Sequence, residues 1–258
     1  IGASYYDYLI ADKTVIPDEA QSSYIEKIAY LPSYQANDSK RPASDKTFSR
    51  AELNLPATGF VYCCLNNPYK ITPPVFDSWM NILKAVPDSV LMLYTDNQTV
   101  KNNLQKEATA RKVDTSRLIF CERLEYSEYL ARYKAMDLFL DTLPYNAGAT
   151  ASDALWSGLP VLTHLGKSFP ARVAASLLNA IELPELITRS QAEYETRAIE
   201  LANNPEKLRS IKEKMQRNRT TTGLFDTARF TKHIETAYQQ MHERYHAGLE
   251  PIHIQVGG

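Results

Sequence analysis

The residues from Leu138 to Leu178, LFLDTLPYNAGATASDALWSGLPVLTHLGKSFPARVAASLL, constrain the fold more than any other stretch. A short apolar run, Leu138 to Leu140, reads as a buried strand. A loop of small residues follows, then a helix that Thr150 is expected to open. After it come a second strand (Val161 to Thr163), another loop and another helix. A strand that enters a helix through small residues is how α/β proteins hold a phosphate. The unpaired amides of the first turn and the helix dipole converge on one anionic spot. Gly148, Ala149 and Ala151 keep bulky side chains out of that spot, and Thr150 brings a hydroxyl beside its N–H. The run Thr150-Ala-Ser-Asp153 also matches a capping box, in which a helix satisfies its own donors without any ligand.

The same alternation begins at Gly59. Phe60 to Leu65 is a strand, and Thr72-Pro-Pro opens a helix with Val75, Phe76, Trp79, Ile82 and Leu83 on its apolar face. Ser89 to Tyr94 is the next strand, followed by a polar helix from Thr99 to Lys112. Leu118 to Cys121 is the third strand, with a short helix from Ser127 to Lys134, and Leu186-Ile187 reads as a brief sixth. Strands alternating with helices imply a parallel sheet with right-handed crossovers. The strands show no in/out alternation, as expected when both faces are covered. The expected fold class is α/β, a doubly wound parallel sheet of Rossmann-like type with a C-terminal helical extension.

That extension comprises three helices. One is headed by the capping box Ser190-Gln-Ala-Glu193 and a second runs from Pro205 to Arg219. A third starts near Asp226, with Phe230, Ile234, Ala237, Tyr238, Met241 and Tyr245 at helical spacing. The run from Lys207 to Arg219 holds six basic residues and one acidic one, which reads as a solvated face. Residues 1–56 are the least regular. Tyr8 to Ala11 suggests a strand, Ile25 to Leu31 a helix end or another strand, and residues 32–49 a polar surface linker. The first 56 residues are therefore expected to be the tail of a preceding half-domain plus linker, too poor in apolar periodicity to make their own core, and so to pack on the next domain or to belong to a missing one. Residues 57–258 are expected to form the ligand-binding domain. An N-terminal Ile rather than Met suggests a piece of something longer.

Composition narrows the function classes. Of 258 residues, 44% are hydrophobic and 23% charged, and the net charge of −1 offers no electrostatic case for nucleic acid or an anionic membrane. No run approaches the roughly 18 apolar residues of a membrane span, and the N-terminus lacks signal-peptide character. Cys63, Cys64 and Cys121, an odd number in apolar runs, point to buried thiols and a cytoplasmic setting. The absence of G-x-G-x-x-G and of a P-loop argues against NAD, FAD and ATP hydrolysis. No D-x-D pair or His/carboxylate cluster suggests a metal. No cofactor or metal is expected, and His164, the one histidine near the rim, is expected to be structural or solvent-facing.

In a doubly wound sheet ordered 3-2-1-4-5-6, the ligand lies beyond the carboxyl ends of strands 1 and 4. The loop after strand 1 is Asn66-Asn67-Pro68-Tyr69-Lys70, and that after strand 4 is Pro144 to Ala149. These two loops are predicted to meet. Lys70 would bring a full charge to a phosphate held at the Thr150 helix, and Asn67 an amide. Asp153 would accept from ribose hydroxyls or close the capping box. The rim loop from Glu122 to Tyr126 would hold a base flanked by Tyr126, Tyr129 and Arg132.

The segments CLNNPYKITPPVFDSWMNILKAVPDSVLML, RLIF, LDTLPYNAGATASDALWSGLPVLT, ARVAASLL, ELITRSQAEYE and FTKHIETAYQQMHERYHAG resemble the O-GlcNAc transferase family, glycosyltransferase family 41, over residues 1 to 250 and most closely its bacterial members. The resemblance implies the C-terminal half of a GT-B catalytic region. Its full-length members usually add another Rossmann-like half and N-terminal tetratricopeptide repeats. It implies a metal-independent, inverting transfer of a sugar to Ser or Thr hydroxyls of a protein acceptor. UDP-N-acetylglucosamine is the favoured donor, with GDP-fucose (the SPINDLY branch) second and UDP-glucose third. The chain by itself is expected to be inactive. By resemblance, Lys70 contacts the donor diphosphate, and Asn67 stands where the family carries Gln. Thr150 matches the second threonine of a His-Thr-Thr motif and Asp153 the ribose carboxylate. Tyr145 and Asn146 line the sugar side, and Leu124 and Arg132 match uridine contacts. Gly148 and Ala149 replace the family's His and first Thr, and Tyr126 and Tyr129 replace a Lys and a His. Rival readings are a nucleotide-sugar epimerase of GT-B type and a non-catalytic interaction module.

Overall fold

The computed structural model describes residues 2–257. Six parallel strands form the main sheet: β3 (Val61–Cys64), β4 (Val90–Tyr94), β5 (Leu118–Cys121), β6 (Leu138–Leu140), β7 (Val161–His164) and β8 (Ile187–Thr188), with β1 and β2 lying earlier in the chain. Their order, β5-β4-β3-β6-β7-β8, is the doubly wound order anticipated from the sequence, with its switch point between β3 and β6. Helices α1 (Pro73–Ala85), α2 (Gln98–Ala110), α3 (Tyr126–Arg132), α4 (Ala149–Trp156) and α5 (Val173–Ala180) connect the strands. They are followed by α6 (Gln191–Asn203), α7 (Pro205–Thr221) and α8 (Thr227–His246). Every residue of β3 and β6 is buried, which is why these strands lack alternation. Gly59 admits the chain to β3 at φ +100, where a Cβ would lie 2.0 Å from the Asp88 carbonyl oxygen. Among the described residues no helix is long and apolar enough to cross a membrane.

Two early strands begin a second sheet. β1 (Tyr8–Ala11) and β2 (Lys27–Tyr30) pair in parallel, and the third strand is the chain's last, β9 (Ile254–Gln255). The period of two in β2 divides its side chains between two clusters. Ile28 and Tyr30 pack with Ala11, Val15, Ile16 and with Val173 of α5. Ala29 and Leu31 pack with Ala237 of α8, Ile254 and Val256. The early segment therefore packs on the rest of the chain, and residues 173–256 complete the two clusters it contributes to.

Several surface expectations change in three dimensions. Tyr238 and Tyr245, assigned to the apolar face of α8, are 57% and 78% exposed, whereas Phe230, Ile234 and Met241 meet the small sheet. The basic run of α7 is not simply solvated. Lys207 pairs with Glu200, Lys212 with Asp137 and Lys214 with Glu185, and Arg219 donates to the Trp156 carbonyl. Residues 32–49 are not a loose linker either, since Asn37 is buried and the Arg41 side chain is only 5% exposed. The capping box at Ser190 forms as expected, with its hydroxyl accepting from the Glu193 N–H.

Ile254 opposes Ala29 and is 4% exposed. Ile254→Ala is expected to cost about 2–4 kcal/mol. It should also speed amide exchange at Val256, whose N–H bonds to the Tyr30 carbonyl. Urea unfolding and hydrogen–deuterium exchange measure the two effects.

Candidate functional site

Asp141, the residue after β6, organises the loop that carries the site. Its carboxylate is buried and accepts from the Thr142 N–H and the Ala147 N–H, both at 2.7 Å, and from the Thr163 hydroxyl at 2.7 Å. Burial pushes its pKa up to about 6, opposed by those donors and by the charge of Lys70. Its backbone carbonyl accepts from the Tyr194 hydroxyl of α6, and Trp79 of α1 donates to that hydroxyl in turn. The loop is further closed by Asn146, whose amide donates to the Thr142 carbonyl at 2.7 Å. Asn146 was expected to line the sugar side. Its side chain is buried, with Oδ1 lacking a protein partner, and its backbone carbonyl is turned to Lys70.

That carbonyl accepts from the Lys70 ammonium at 2.8 Å. The loops after β3 and β6, separated by some seventy residues, thus meet as the strand order required. Lys70 also lies 4.2 Å from the centroid of the half-exposed Tyr145 ring. Burial lowers its pKa, and the Asp141 carboxylate works against that shift. Asn67 uses its side-chain oxygen to accept from the Tyr69 N–H, closing the turn, which leaves its amide NH2 facing outward.

Three residues beyond Asn146, α4 begins. Its N-cap is Gly148, with no side-chain cap, and its first intrahelical bond runs from Ser152 to the Gly148 carbonyl. The amides of Ala149, Thr150 and Ala151 therefore have no partner within the helix. Ala149 is exposed and Thr150 partly so. The capping box that Thr150-Ala-Ser-Asp153 also matches does not form, since the N-cap is Gly148 and no side chain caps the helix. The Asp153 carboxylate is held instead by Arg41, at 2.7 Å, and by the Tyr126 hydroxyl at 2.9 Å. At its other end α4 closes in a Schellman motif. Leu159 N–H bonds to the Ala154 carbonyl and Gly158, at φ +89, to that of Leu155.

Beside this helix lies a cleft of about 400 Å3, lined by Leu65, Tyr94, Arg123, Leu124, Glu125, Tyr126, Tyr129, Arg132 and Asp153. Of the rim residues anticipated around a base, Leu124, Tyr126, Tyr129 and Arg132 line this cleft, and Glu122 does not. The Tyr126 and Tyr129 rings stack with centroids 6.2 Å apart. Arg132 is 2% exposed, with one terminal nitrogen on the Glu122 carbonyl at 2.9 Å and its Nε without a protein partner. A buried guanidinium left partly unsatisfied is costly unless a ligand acceptor completes it. On the far side of the Asp141 loop a second, apolar cleft of about 320 Å3 contains His164. The sequence reading missed Asp141 and Arg41. Asp141 ends a strand at the switch point, a position that marks it in retrospect, whereas Arg41 carries no local signal.

The family model for glycosyl transferase family 41 matches residues 34–234. The chain belongs to glycosyl transferase family 41. It is 35% identical over 262 residues to the probable UDP-N-acetylglucosamine–peptide N-acetylglucosaminyltransferase SEC of Arabidopsis thaliana, covering 99% of this chain and 27% of that protein. It is 34% identical over 213 residues to the UDP-N-acetylglucosamine–peptide N-acetylglucosaminyltransferase of Caenorhabditis elegans, covering 83% of this chain and 18% of that one. A mutant O-GlcNAc transferase of Thermobaculum terrenum superposes with a TM-score of 0.81 at 29% identity, over 91% of this chain and 45% of that one. This family 41 chain thus spans between about a fifth and a quarter of the length of these curated relatives. Its main sheet is the Rossmann-like half of a GT-B fold.

The ordinary pKa of an Asp is near 3.9, so between about pH 4 and pH 6 the unfolded chain ionises Asp141 while the native protein keeps the proton. Native stability from this group is full below that window and falls as pH rises through it, by about 3 kcal/mol. Asp141→Asn cannot ionise. Its stability deficit against wild type, measured by urea unfolding, is expected to be about 3 kcal/mol smaller at pH 7 than at pH 4.

Proposed function

We propose that this chain is the nucleotide-sugar-binding half of a metal-independent, inverting protein O-glycosyltransferase that moves N-acetylglucosamine from UDP-N-acetylglucosamine to Ser or Thr hydroxyls. The observation that carries the reading is the meeting of Lys70 with the loop that leads into α4, a cation and a set of unpartnered amides around one opening. The relatives' printed activity, and the tyrosine-lined cleft beside Asp153, support the same reading.

In this scheme the base enters the cleft between Leu124, Tyr126, Tyr129 and Arg132, and the ribose meets Asp153. The diphosphate lies between Lys70 and the amides of Ala149, Thr150 and Ala151, and the sugar points past Tyr145. An acceptor hydroxyl attacks the anomeric carbon from the face opposite the diphosphate, whose bond to that carbon breaks, so the configuration inverts. Negative charge grows on the leaving diphosphate, and the preorganised donors stabilise it without reorganising. In this scheme none of the described residues around Lys70 takes the proton of the acceptor hydroxyl. We assign that task, together with acceptor binding, to the other Rossmann-like half of a longer protein that also carries tetratricopeptide repeats and works in the cytoplasm. The free thiols of Cys63, Cys64 and Cys121 suit a reducing compartment.

Lys70→Met in the full-length protein is expected to lower kcat about 10²–10³-fold while the nucleoside cleft remains intact. Incubation with UDP-N-acetylglucosamine or GDP-fucose, followed by intact-mass measurement of acceptor protein, decides the donor. Release of free sugar with none on protein would instead favour an epimerase. Failure to bind either UDP or GDP at millimolar concentration would leave an interaction module.

A further inference from the structure

Arg41 lies outside the main sheet, in the stretch 32–49, yet it reaches the proposed donor site across more than a hundred residues of sequence. Its three guanidinium nitrogens are all engaged. One terminal nitrogen donates to Asp153 Oδ1 at 2.7 Å, the other to Ser152 Oγ at 2.5 Å, and Nε to the Asp38 carbonyl at 3.2 Å. The Ser152 hydroxyl donates onward to Asn37 Oδ1 at 2.6 Å. Trp156 and Phe225 flank the guanidinium, with ring centroids 5.7 and 5.4 Å away. The Arg41 side chain is 5% exposed and that of Asp153 13%.

The consequence falls on Asp153. Its Oδ1 accepts from both Arg41 and the Tyr126 hydroxyl. Among the described residues no donor reaches Oδ2, and Asp153 lines the 400 Å3 cleft. Two fixed donors on one oxygen set the plane of the carboxylate and leave the other oxygen as an open acceptor. Burial raises the pKa of this carboxyl, and Arg41 first, then Tyr126, work against that rise. A protonated Asp153 would lose the charge that makes it a strong acceptor.

We infer that Arg41 is a positioning residue for the donor's ribose, holding Asp153 charged and turned so that Oδ2 is presented to the vicinal ribose hydroxyls. The inference rests on the donor-site reading proposed above. It goes further in making the segment before the main sheet part of nucleotide recognition. Arg41 touches no substrate in this arrangement and acts through Asp153.

The test is a calorimetric cycle on the full-length protein with UDP (or GDP, whichever it binds) and the 2′,3′-dideoxy form of the same nucleotide. Wild type is expected to prefer the ribonucleotide at least about tenfold. Arg41→Gln should weaken ribonucleotide binding about 10–100-fold but change dideoxynucleotide binding less than about threefold, so the preference collapses. Tyr126→Phe, at a half-exposed ring where folding is not at risk, should lose part of the preference, and Arg41→Lys should restore part of it. Equal weakening of both nucleotides by Arg41→Gln would show a purely structural tie and overturn the inference. So would a wild type that binds both forms equally, even though the donor site would then stand. Should Arg41→Gln not fold, an unchanged preference in both Tyr126→Phe and Arg41→Lys would overturn it. A wild type that binds neither UDP nor GDP refutes the donor-site reading itself, and this inference with it.

Discussion

The arrangement of this molecule depends on one buried carboxylate. Asp141 draws the N–H groups at both ends of a six-residue loop and the hydroxyl of the adjacent strand onto its two oxygens. Burying a charge is unfavourable by itself, and three donors plus the nearby Lys70 make it tolerable. The return is geometric. With both ends of the loop pinned, the Asn146 carbonyl is placed under the Lys70 ammonium and α4 starts at a defined point. The same residue reaches α6 and α1 through its carbonyl, so the loop is referenced to the helical layer as well as to the sheet.

Helix α4 is correspondingly held from several sides. A Schellman motif ends it, Arg219 of α7 covers its last carbonyl at Trp156, and Arg41 with Asn37 grips Ser152 and Asp153. Among the described residues its first-turn amides have no protein partner. A rigid helix with one unsatisfied end is suited to binding an anion, because its donors need not reorganise when charge arrives. The second sheet contributes to this rigidity. Val173 of α5 belongs to its core, and Arg172 donates to the Thr14 and Gly166 carbonyls, so the early segment is fastened beside the site.

Much of this was legible in the sequence because parallel sheets obey strong topological rules. Apolar runs of four or five residues alternating with helices left little choice of fold, and the switch-point rule then brought Lys70 to the Pro144–Ala149 loop without any contact being known. The rim around Tyr126, Tyr129 and Arg132 followed from the same geometry. Local pattern misled where a side chain had a distant alternative. Thr150 and Asp153 match a capping box, but a guanidinium 112 residues away is a stronger partner for a carboxylate than a backbone amide. The basic run of α7 found acids on neighbouring elements.

Read alone, then, the residues determined the layered α/β architecture, the strand order and the pair of loops that converge, since these depend on short-range periodicity and on the handedness of crossovers. Three things were settled by folding: the last strand completing the first sheet, Asp141 becoming the anchor of the loop, and Arg41 claiming Asp153. Each is a contact between groups far apart in the chain, chosen by burial and charge pairing in space, and neither of those leaves a mark in local sequence.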